Sequence, residues 1–240
     1  MSADYGIWGR YNDSLAGPPG TAFAQFFQDL LPRAARILEV GVGAGRLALP
    51  LARAGFRMSG IDSSEGMLAL LKEADTTGLV NSWHADILDA EDLGTYDAVL
   101  MAYNVLSMMP SREAQARSVA AAARCIAAGG YLVVENAAPR AILSQLNPRG
   151  QTVGVQFQDG NVWLNVGRYF PEDERYLVRY LAFGGDAFVQ RHGDLTLIAP
   201  EQLRELATQT GLDTAGLMQD WSGSPFTSRS DQYVMTFRRD

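Results

Sequence analysis

The fold is decided by residues 38–46, which read LEVGVGAGR. A short apolar run, 36–40, leads into this segment, and a run with helical spacing of apolar residues, 46–54, follows it and stops at Gly55. We interpret the first run as a buried strand and the second as a helix, with glycines in the turn between them. Glycines let the backbone turn sharply and approach a ligand closely, because no Cβ intervenes. The segment therefore predicts a ligand site at the end of a strand, near a helix N-terminus.

The same alternation of strand and helix continues along the chain. Further strands are predicted at 56–61, 80–84, 96–102 and 131–135, with helices at 66–74 and 112–128. After an interruption, a helix at 200–210 and two closing strands at 212–221 and 232–238 complete the pattern. Strands that alternate with helices predict an α/β fold with a doubly wound, mostly parallel sheet, here of seven strands.

The interruption and the N-terminus follow different patterns. Strands at 153–158, 161–169, 176–184 and 188–198 follow one another without helices, and Asp159-Gly160 suits a two-residue hairpin turn. We expect a single domain made of an N-terminal arm and helix (1–32), a cofactor-binding core (33–150), an antiparallel β insertion over the active site (151–198) and a C-terminal helix with closing strands (199–240).

The composition argues against several classes of protein, including nucleic-acid-binding, disulfide-bonded and membrane proteins. The formal net charge is −7, and no cluster of basic residues offsets it, which argues against a nucleic-acid partner. The single cysteine, Cys125, excludes an intrachain disulfide. No apolar run is long enough for a membrane span and no signal peptide is recognisable, so we expect a cytoplasmic protein without membrane contacts. The two histidines, His84 and His192, are far apart in the sequence, and no metal site is predicted.

The spacing of the glycines identifies the type of ligand. A dinucleotide-binding loop has the pattern G-x-G-x-x-G, but here the third glycine, Gly45, comes one residue early and Arg46 occupies the dinucleotide position. Asp62 follows Gly41 by 21 residues, at the end of the second strand. A carboxylate there can accept hydrogen bonds from both ribose hydroxyls, or it can instead cap the following helix.

The acidic-x-GxGxG pattern that begins at Glu39 resembles class I, Rossmann-like S-adenosylmethionine-dependent methyltransferases. The order of motifs over 37–135 is similar to that family throughout, and the antiparallel insertion resembles its small-molecule members. The resemblance implies S-adenosylmethionine as cofactor and S-adenosylhomocysteine as product. It also implies that Met67 packs on the adenine ring and that Asp86 and the Ile87 N–H bind adenine, although Met67 also suits the core and Asp86 a loop cap. The full set of cofactor-binding residues that it implies is Glu39, Gly41, Gly43, Gly45, Asp62, Ser63, Met67, Asp86, Ile87 and Tyr103.

Catalytic residues are harder to identify, because transfer from a sulfonium depends mainly on alignment and on excluding water. A general base is needed only when the acceptor arrives protonated. Candidates that could face the methyl group are Tyr103, Asn104, Tyr11 and His192, and candidates for acceptor binding are Arg168, Tyr169, Tyr180 and Trp221. For each of them a structural role, as a strand cap, a core aromatic or a surface residue, is the alternative.

We therefore expect methyl transfer to an oxygen or nitrogen of a small molecule, in bacterial secondary metabolism. The segment after strand four reads MAYNVLS (101–107) and lacks the NPPY-type motif of relatives that methylate DNA bases or glutamine. Three alternatives stay open: a nicotinamide-dependent oxidoreductase, a related fold that binds the cofactor as a cyclase or binding module, and methylation of proteins. The insertion is also a candidate for contacts in a homodimer.

Overall fold

The computed structural model describes residues 20–158, 161–184 and 187–240. The strands in these ranges are β1 (Arg36–Val40), β2 (Arg57–Asp62), β3 (Val80–His84), β4 (Tyr96–Met101), β5 (Ile126–Ala137), β6 (Gln151–Gln158), β7 (Asn161–Phe170), β8 (Arg175–Gly184), β9 (Ala187–Thr196), β10 (Leu212–Met218) and β11 (Gln232–Arg239). The helices are α1 (Thr21–Leu30), α2 (Ala48–Arg53), α3 (Glu65–Ala74), α4 (Arg112–Arg124), α5 (Pro139–Leu143) and α6 (Pro200–Thr208). Across the described ranges, every helix is too short or too polar to cross a bilayer. The predicted arm at 1–19 and the Asp159-Gly160 turn lie outside the described residues.

Seven strands form one sheet in the order β10-β11-β5-β4-β1-β2-β3. Strands β1 to β5 pair in parallel, and β11 pairs antiparallel with both β5 and β10. The predicted mostly parallel, seven-stranded sheet is therefore confirmed. Because β1 lies between β2 and β4, the order of strands reverses at β1, and a ligand crevice forms at the carboxyl edge of such a switch point.

Both faces of the central strands are buried. Ile37 and Leu38 in β1, and Val99 and Leu100 in β4, are fully buried although successive side chains of a strand point to opposite faces. This burial is explained by helices that cover both faces of the sheet, which is why the central strands read as continuous apolar runs. The polar atoms available to a ligand are consequently concentrated at the strand ends.

Two predicted helix boundaries were wrong. The helix predicted at 112–128 ends at Arg124, and β5 begins at Ile126, which pairs with Tyr96 of β4. Gly130 lets this early part of β5 lie against β4, since a Cβ there would come within 2.8 Å of the Asp97 carbonyl oxygen. The helix predicted at 46–54 begins only at Ala48, which leaves Arg46 in the glycine loop, and the short helix α5 was not predicted.

The predicted antiparallel insertion is confirmed as a separate sheet in the order β6-β7-β8-β9. One of its faces carries exposed apolar side chains: Val153, Val155, Val166 and Phe157, of which Phe157 is 82% exposed. Such a face is typical of an interaction surface. Homodimer formation through the insertion stays a prediction.

Hydrogen bonds attach the base of this second sheet to the segment that follows β4. The Thr196 N–H donates to the Ser107 carbonyl oxygen at 2.7 Å, and the Thr196 hydroxyl donates to the Met109 carbonyl oxygen at 2.9 Å. Gln115 of α4 is fully buried, and its side-chain amide donates to the carbonyl oxygens of Leu106 (3.0 Å) and Thr196 (2.8 Å). These hydrogen bonds therefore fix the position of the insertion relative to the loop after β4.

We expect Gln115→Met to lower the free energy of unfolding by about 2–3 kcal/mol, because it removes the side-chain donor from two carbonyl oxygens at nearly unchanged side-chain volume. Urea denaturation followed by circular dichroism measures this change. The matched control is Gln25→Met, on the exposed side of α1, which should change stability by no more than about 0.5 kcal/mol. Equal effects of the two substitutions would contradict the proposed role of Gln115.

Candidate functional site

The loop between β1 and α2 is shaped by glycines with left-handed backbone angles. Gly41 has φ +73° and Gly45 has φ +85°. A Cβ at Gly41 would lie 2.5 Å from a methyl group of Val105, and one at Gly45 would lie 2.4 Å from a methyl group of Leu71. Conformation and space therefore both require glycine at these two positions, and the loop lies close against its neighbours.

Asp62, at the end of β2, joins this loop to the next one. One carboxylate oxygen accepts a hydrogen bond from the Gly43 N–H at 2.8 Å, and the other accepts one from the Ser64 N–H at 2.8 Å. Burial raises the pKa of Asp62, against the opposing effect of these two N–H donors. A carboxylate has about four acceptor positions, so two remain for the ribose hydroxyls that the sequence analysis assigned to it.

Glu39, near the end of β1, is buried beneath the loop. Burial raises the pKa of Glu39 to about 8, although the charge of Arg46 acts in the opposite direction. The carboxylates of Asp62 and Glu135 raise this pKa further. Its Oε2 atom is buried and has no hydrogen-bond partner among the described residues. A buried acceptor without a partner indicates that a ligand group supplies the missing donor or positive charge.

The turn after β4 adopts an uncommon backbone conformation. Tyr103 and Asn104 are both left-handed, with φ +55° and +67°. The Tyr103 N–H donates to Oε2 of Glu135 at 3.0 Å, and the Asn104 N–H donates to the Glu135 carbonyl oxygen at 3.2 Å. The Asn104 side-chain oxygen accepts from the Ala137 N–H at 2.6 Å, so this side chain holds the strand ends together. Consecutive non-glycine residues in this region are costly and concentrate at functional sites.

Two charged residues outside the predicted set of site residues lie beside this turn. The Arg46 guanidinium lies over the Tyr103 ring, 4.7 Å from its centroid. Glu135, near the end of β5, is largely buried, and burial raises its pKa. Its position at the carboxyl end of a central strand was the one signal in the sequence that could have identified it.

Trp221, a candidate for acceptor binding, contacts α1 and Glu135, and its contact with an acceptor stays a prediction. Its indole N–H donates to Oε1 of Glu135 at 2.9 Å. Its ring packs edge-on against Phe23 and Phe26 of α1, with centroids 4.9 and 5.3 Å away. Trp221 therefore connects α1 to the carboxyl edge of the sheet.

The residues predicted to bind adenine lie on the other side of the glycine loop. The Met67 side chain approaches Gly43, where a Cβ would lie 3.1 Å from its terminal methyl group. Asp86 is exposed and accepts from the Leu88 N–H at 2.9 Å, whereas the Ile87 side chain is buried in the core. The carboxylate of Asp86 thus caps its own loop, as the alternative interpretation expected, and retains free acceptor positions.

Ser63 and His84 lie next to each other at the same end of the sheet. Ser63 is exposed and follows Asp62 directly, and its carbonyl oxygen is 3.0 Å from Nε2 of His84. The other ring nitrogen of His84 is 3.5 Å from the carboxylate of Glu65. His84 therefore has partners on both sides of its ring.

The second sheet separates the four candidates that it carries. Paired residues of neighbouring strands share a face, and alternate residues of one strand do too. Tyr169 pairs with Tyr176, so Tyr169 and Tyr180 lie on the face that includes the buried Tyr176. Arg168 and His192 lie on the opposite face. These four residues therefore do not form one binding site, and Tyr11 lies outside the described residues.

S-adenosylmethionine carries a sulfonium and an α-ammonium group beside a ribose with two hydroxyls. The crevice fits these groups, because three carboxylates (Glu39, Asp62 and Glu135) converge there and one oxygen of Glu39 has no described partner. The glycine loop also leaves its backbone accessible, with no Cβ to block a ligand.

Comparisons with known proteins agree with this fit. The family described as "Methyltransferase domain" matches residues 37–130. The solved structure of the CcbJ methyltransferase from Streptomyces caelestis is 27% identical, covers 93% of this chain and 91% of its own, and superimposes with a TM-score of 0.84. The chain is a class I S-adenosylmethionine-dependent methyltransferase. The nicotinamide-dependent alternative is therefore rejected.

Two further proteins that are similar to this chain are also methyltransferases. The cypemycin N-terminal methyltransferase of a Streptomyces species is 22% identical over 92% of this chain and 90% of its own. The S-adenosylmethionine-bound structure of CalS10, an amino pentose methyltransferase from Micromonospora echinaspora, is 20% identical. It covers 96% of each chain with a TM-score of 0.71, and at this identity it shows the shared fold.

We expect Asp62→Ala to weaken binding of S-adenosylhomocysteine to the methyltransferase by about tenfold or more, because charged hydrogen bonds to the ligand and to Gly43 are lost together. Titration calorimetry measures the affinity. The matched control is Asp75→Ala, because Asp75 also accepts two backbone N–H groups, from Leu79 and Val80, but at the opposite edge of the sheet. Equal losses of affinity in both variants would contradict a role for Asp62 in binding.

We expect binding of S-adenosylmethionine at neutral pH to release a proton from Glu39. With a pKa of about 8, this carboxyl is mostly protonated in the free protein, and a nearby cation lowers its pKa. Calorimetry in buffers of different ionisation enthalpy counts the released protons. The Glu39→Gln variant should release fewer protons than the native protein, and equal release in both would contradict the assignment.

Proposed function

We propose that this methyltransferase methylates an amine nitrogen of a small molecule in the biosynthesis of a bacterial natural product. The observation that carries the proposal is the excess of carboxylates at the carboxyl edge of the sheet. Glu39, Asp62 and Glu135 converge there, and Arg46 is the cation that affects the charge of Glu39 and Glu135. A crevice lined by carboxyl groups favours cationic ligands, because a bound cation stabilises the ionised form of these groups, and amines are mostly protonated at neutral pH.

The positions of the histidines also favour an amine over a hydroxyl acceptor. A hydroxyl acceptor would need a general base near the turn after β4. His84 lies at the end of β3 against the Ser63 carbonyl oxygen, and His192 lies in the second sheet. An amine can instead lose its proton to water before it reacts, because its pKa is closer to neutral than that of an alcohol.

The cofactor supplies a methyl group already activated by the sulfonium, so the reaction needs alignment more than acid–base chemistry. With the cofactor bound, the neutral amine nitrogen would take the methyl carbon as the carbon–sulfur bond breaks, S-adenosylhomocysteine would be the leaving group, and the proton of the methylated amine would pass to water. Asp62 and the glycine loop orient the ribose end, while Glu39 balances positive charge. Tyr103 and Arg46 lie where they can cover the reacting groups and exclude water.

The activities of two similar proteins support an amine acceptor. One relative that spans nearly the whole chain is an N-terminal methyltransferase, and CalS10 is an amino pentose methyltransferase involved in calicheamicin biosynthesis. The net charge of −7 also favours a cationic acceptor over a nucleic acid. Binding of the cofactor without any methylated product is the alternative, as in a cyclase or binding module.

We expect methylated products from amines, such as an amino sugar or a peptide N-terminus, and not from phenols or sugar hydroxyls of similar size. The rate should rise with pH as the amine loses its proton. Mass spectrometry of a panel of matched amine and hydroxyl acceptors tests this, with excess S-adenosylhomocysteine as an inhibited control. Products from hydroxyl acceptors alone would contradict the proposal, and tight cofactor binding without any product would favour the binding-module alternative.

A further inference from the structure

The carboxylate of Glu135 joins two segments that are distant in the sequence. Its Oε2 accepts the N–H of Tyr103 at 3.0 Å, and its Oε1 accepts the indole N–H of Trp221 at 2.9 Å. Both oxygens are therefore engaged within the protein. This arrangement differs from that of Glu39, whose Oε2 has no partner among the described residues.

The Tyr103 contact stabilises a conformation that the chain would otherwise disfavour. Tyr103 and Asn104 are both left-handed, which is costly for residues with a Cβ. Backbone and side-chain atoms of Glu135 accept the N–H groups of both residues. The orientation of the Tyr103 ring, against which Arg46 stacks, follows from this backbone conformation.

The Trp221 contact extends this support to the N-terminal helix. The indole packs against Phe23, Phe26 and Phe27 of α1, while its N–H is directed at Glu135. The aromatic packing restricts where the N–H can point. The carboxylate is in turn held between a rigid donor on one side and the strained turn on the other.

We infer that Glu135 is a positioning residue, which holds the Tyr103–Asn104 turn in the conformation that binds cofactor by accepting hydrogen bonds from Tyr103 and Trp221 at once. The inference concerns the cofactor side of the crevice and does not depend on which acceptor is methylated. It assigns Trp221 a supporting role through its hydrogen bond to Glu135.

The chemistry of the side chain provides a specific test. A glutamine at position 135 has one oxygen and one NH₂ group, so it can accept from Tyr103 or from Trp221, and the other donor then faces a donor. Trp221→Phe keeps an aromatic ring and removes the indole N–H. In the double variant Glu135→Gln/Trp221→Phe, the oxygen can face Tyr103 without any opposed donors.

Titration calorimetry with the full chain measures how each substitution changes the affinity for S-adenosylhomocysteine. We expect Glu135→Gln to weaken binding by about tenfold, and Trp221→Phe by less than about threefold. The double variant should bind within about threefold of Trp221→Phe, which is a rescue that a general loss of stability would not produce. Asp97→Asn is the control, because Asp97 accepts the Arg36 N–H at the opposite edge of the sheet and should leave the affinity unchanged.

Unchanged affinity in Glu135→Gln would overturn the inference, as would a double variant that loses the product of the two single effects. Thermal unfolding of each variant shows whether it is folded. Should Glu135→Gln alone fail to fold, the double variant is compared with Trp221→Phe. Equal affinities would then support the inference, and a loss of about tenfold or more would overturn it. Because the probe is S-adenosylhomocysteine, these outcomes are separate from the choice between amine and hydroxyl acceptors.

Discussion

Asp62 accepts hydrogen bonds from Gly43 and Ser64, and the bond from Gly43 fixes the glycine loop against the end of β2. The parallel sheet makes this contact possible, because it brings the carboxyl ends of β1 and β2 to one edge. The same topology gathers Glu39 and Glu135 at that edge, where burial raises the pKa of both carboxyls. The site thus concentrates carboxyl groups whose ionised form is disfavoured by burial and favoured by a bound cation.

The loop after β4 depends on support from outside the core as well. On one side, Glu135 and Asn104 hold the turn to the end of β5. Further along, Thr196 and Gln115 hold the following segment to the base of the second sheet. The insertion is therefore part of the framework that determines the conformation of the crevice, in addition to any contact that it makes with an acceptor.

The fold could be predicted from the sequence because strands and helices alternate in a regular pattern and the glycine spacing is specific. The contacts of Glu135 could not be predicted, because Glu135 and Trp221 are 86 positions apart in the sequence and only the order of strands in the sheet brings them together. Alanines 127 and 128 read as a continued helix because nothing in the local pattern shows that β5 pairs with β4 this early. The candidates of the insertion could not be sorted from the sequence, because only the strand register shows that Tyr169 and Tyr180 lie on one face and Arg168 and His192 on the other.

Burial of Glu39 also links the stability of the folded protein to its cofactor. The pKa of Glu39 is about 8 in the folded chain, whereas its ordinary value is 4.5. At a pH between these two values, the folded chain holds a proton that the unfolded chain has released. The free energy of unfolding contributed by this group therefore falls as pH rises through that window. A cationic ligand that binds only the folded chain offsets the loss by mass action. At mildly alkaline pH, the stability of the folded chain would consequently depend on how much of its methyl donor is bound.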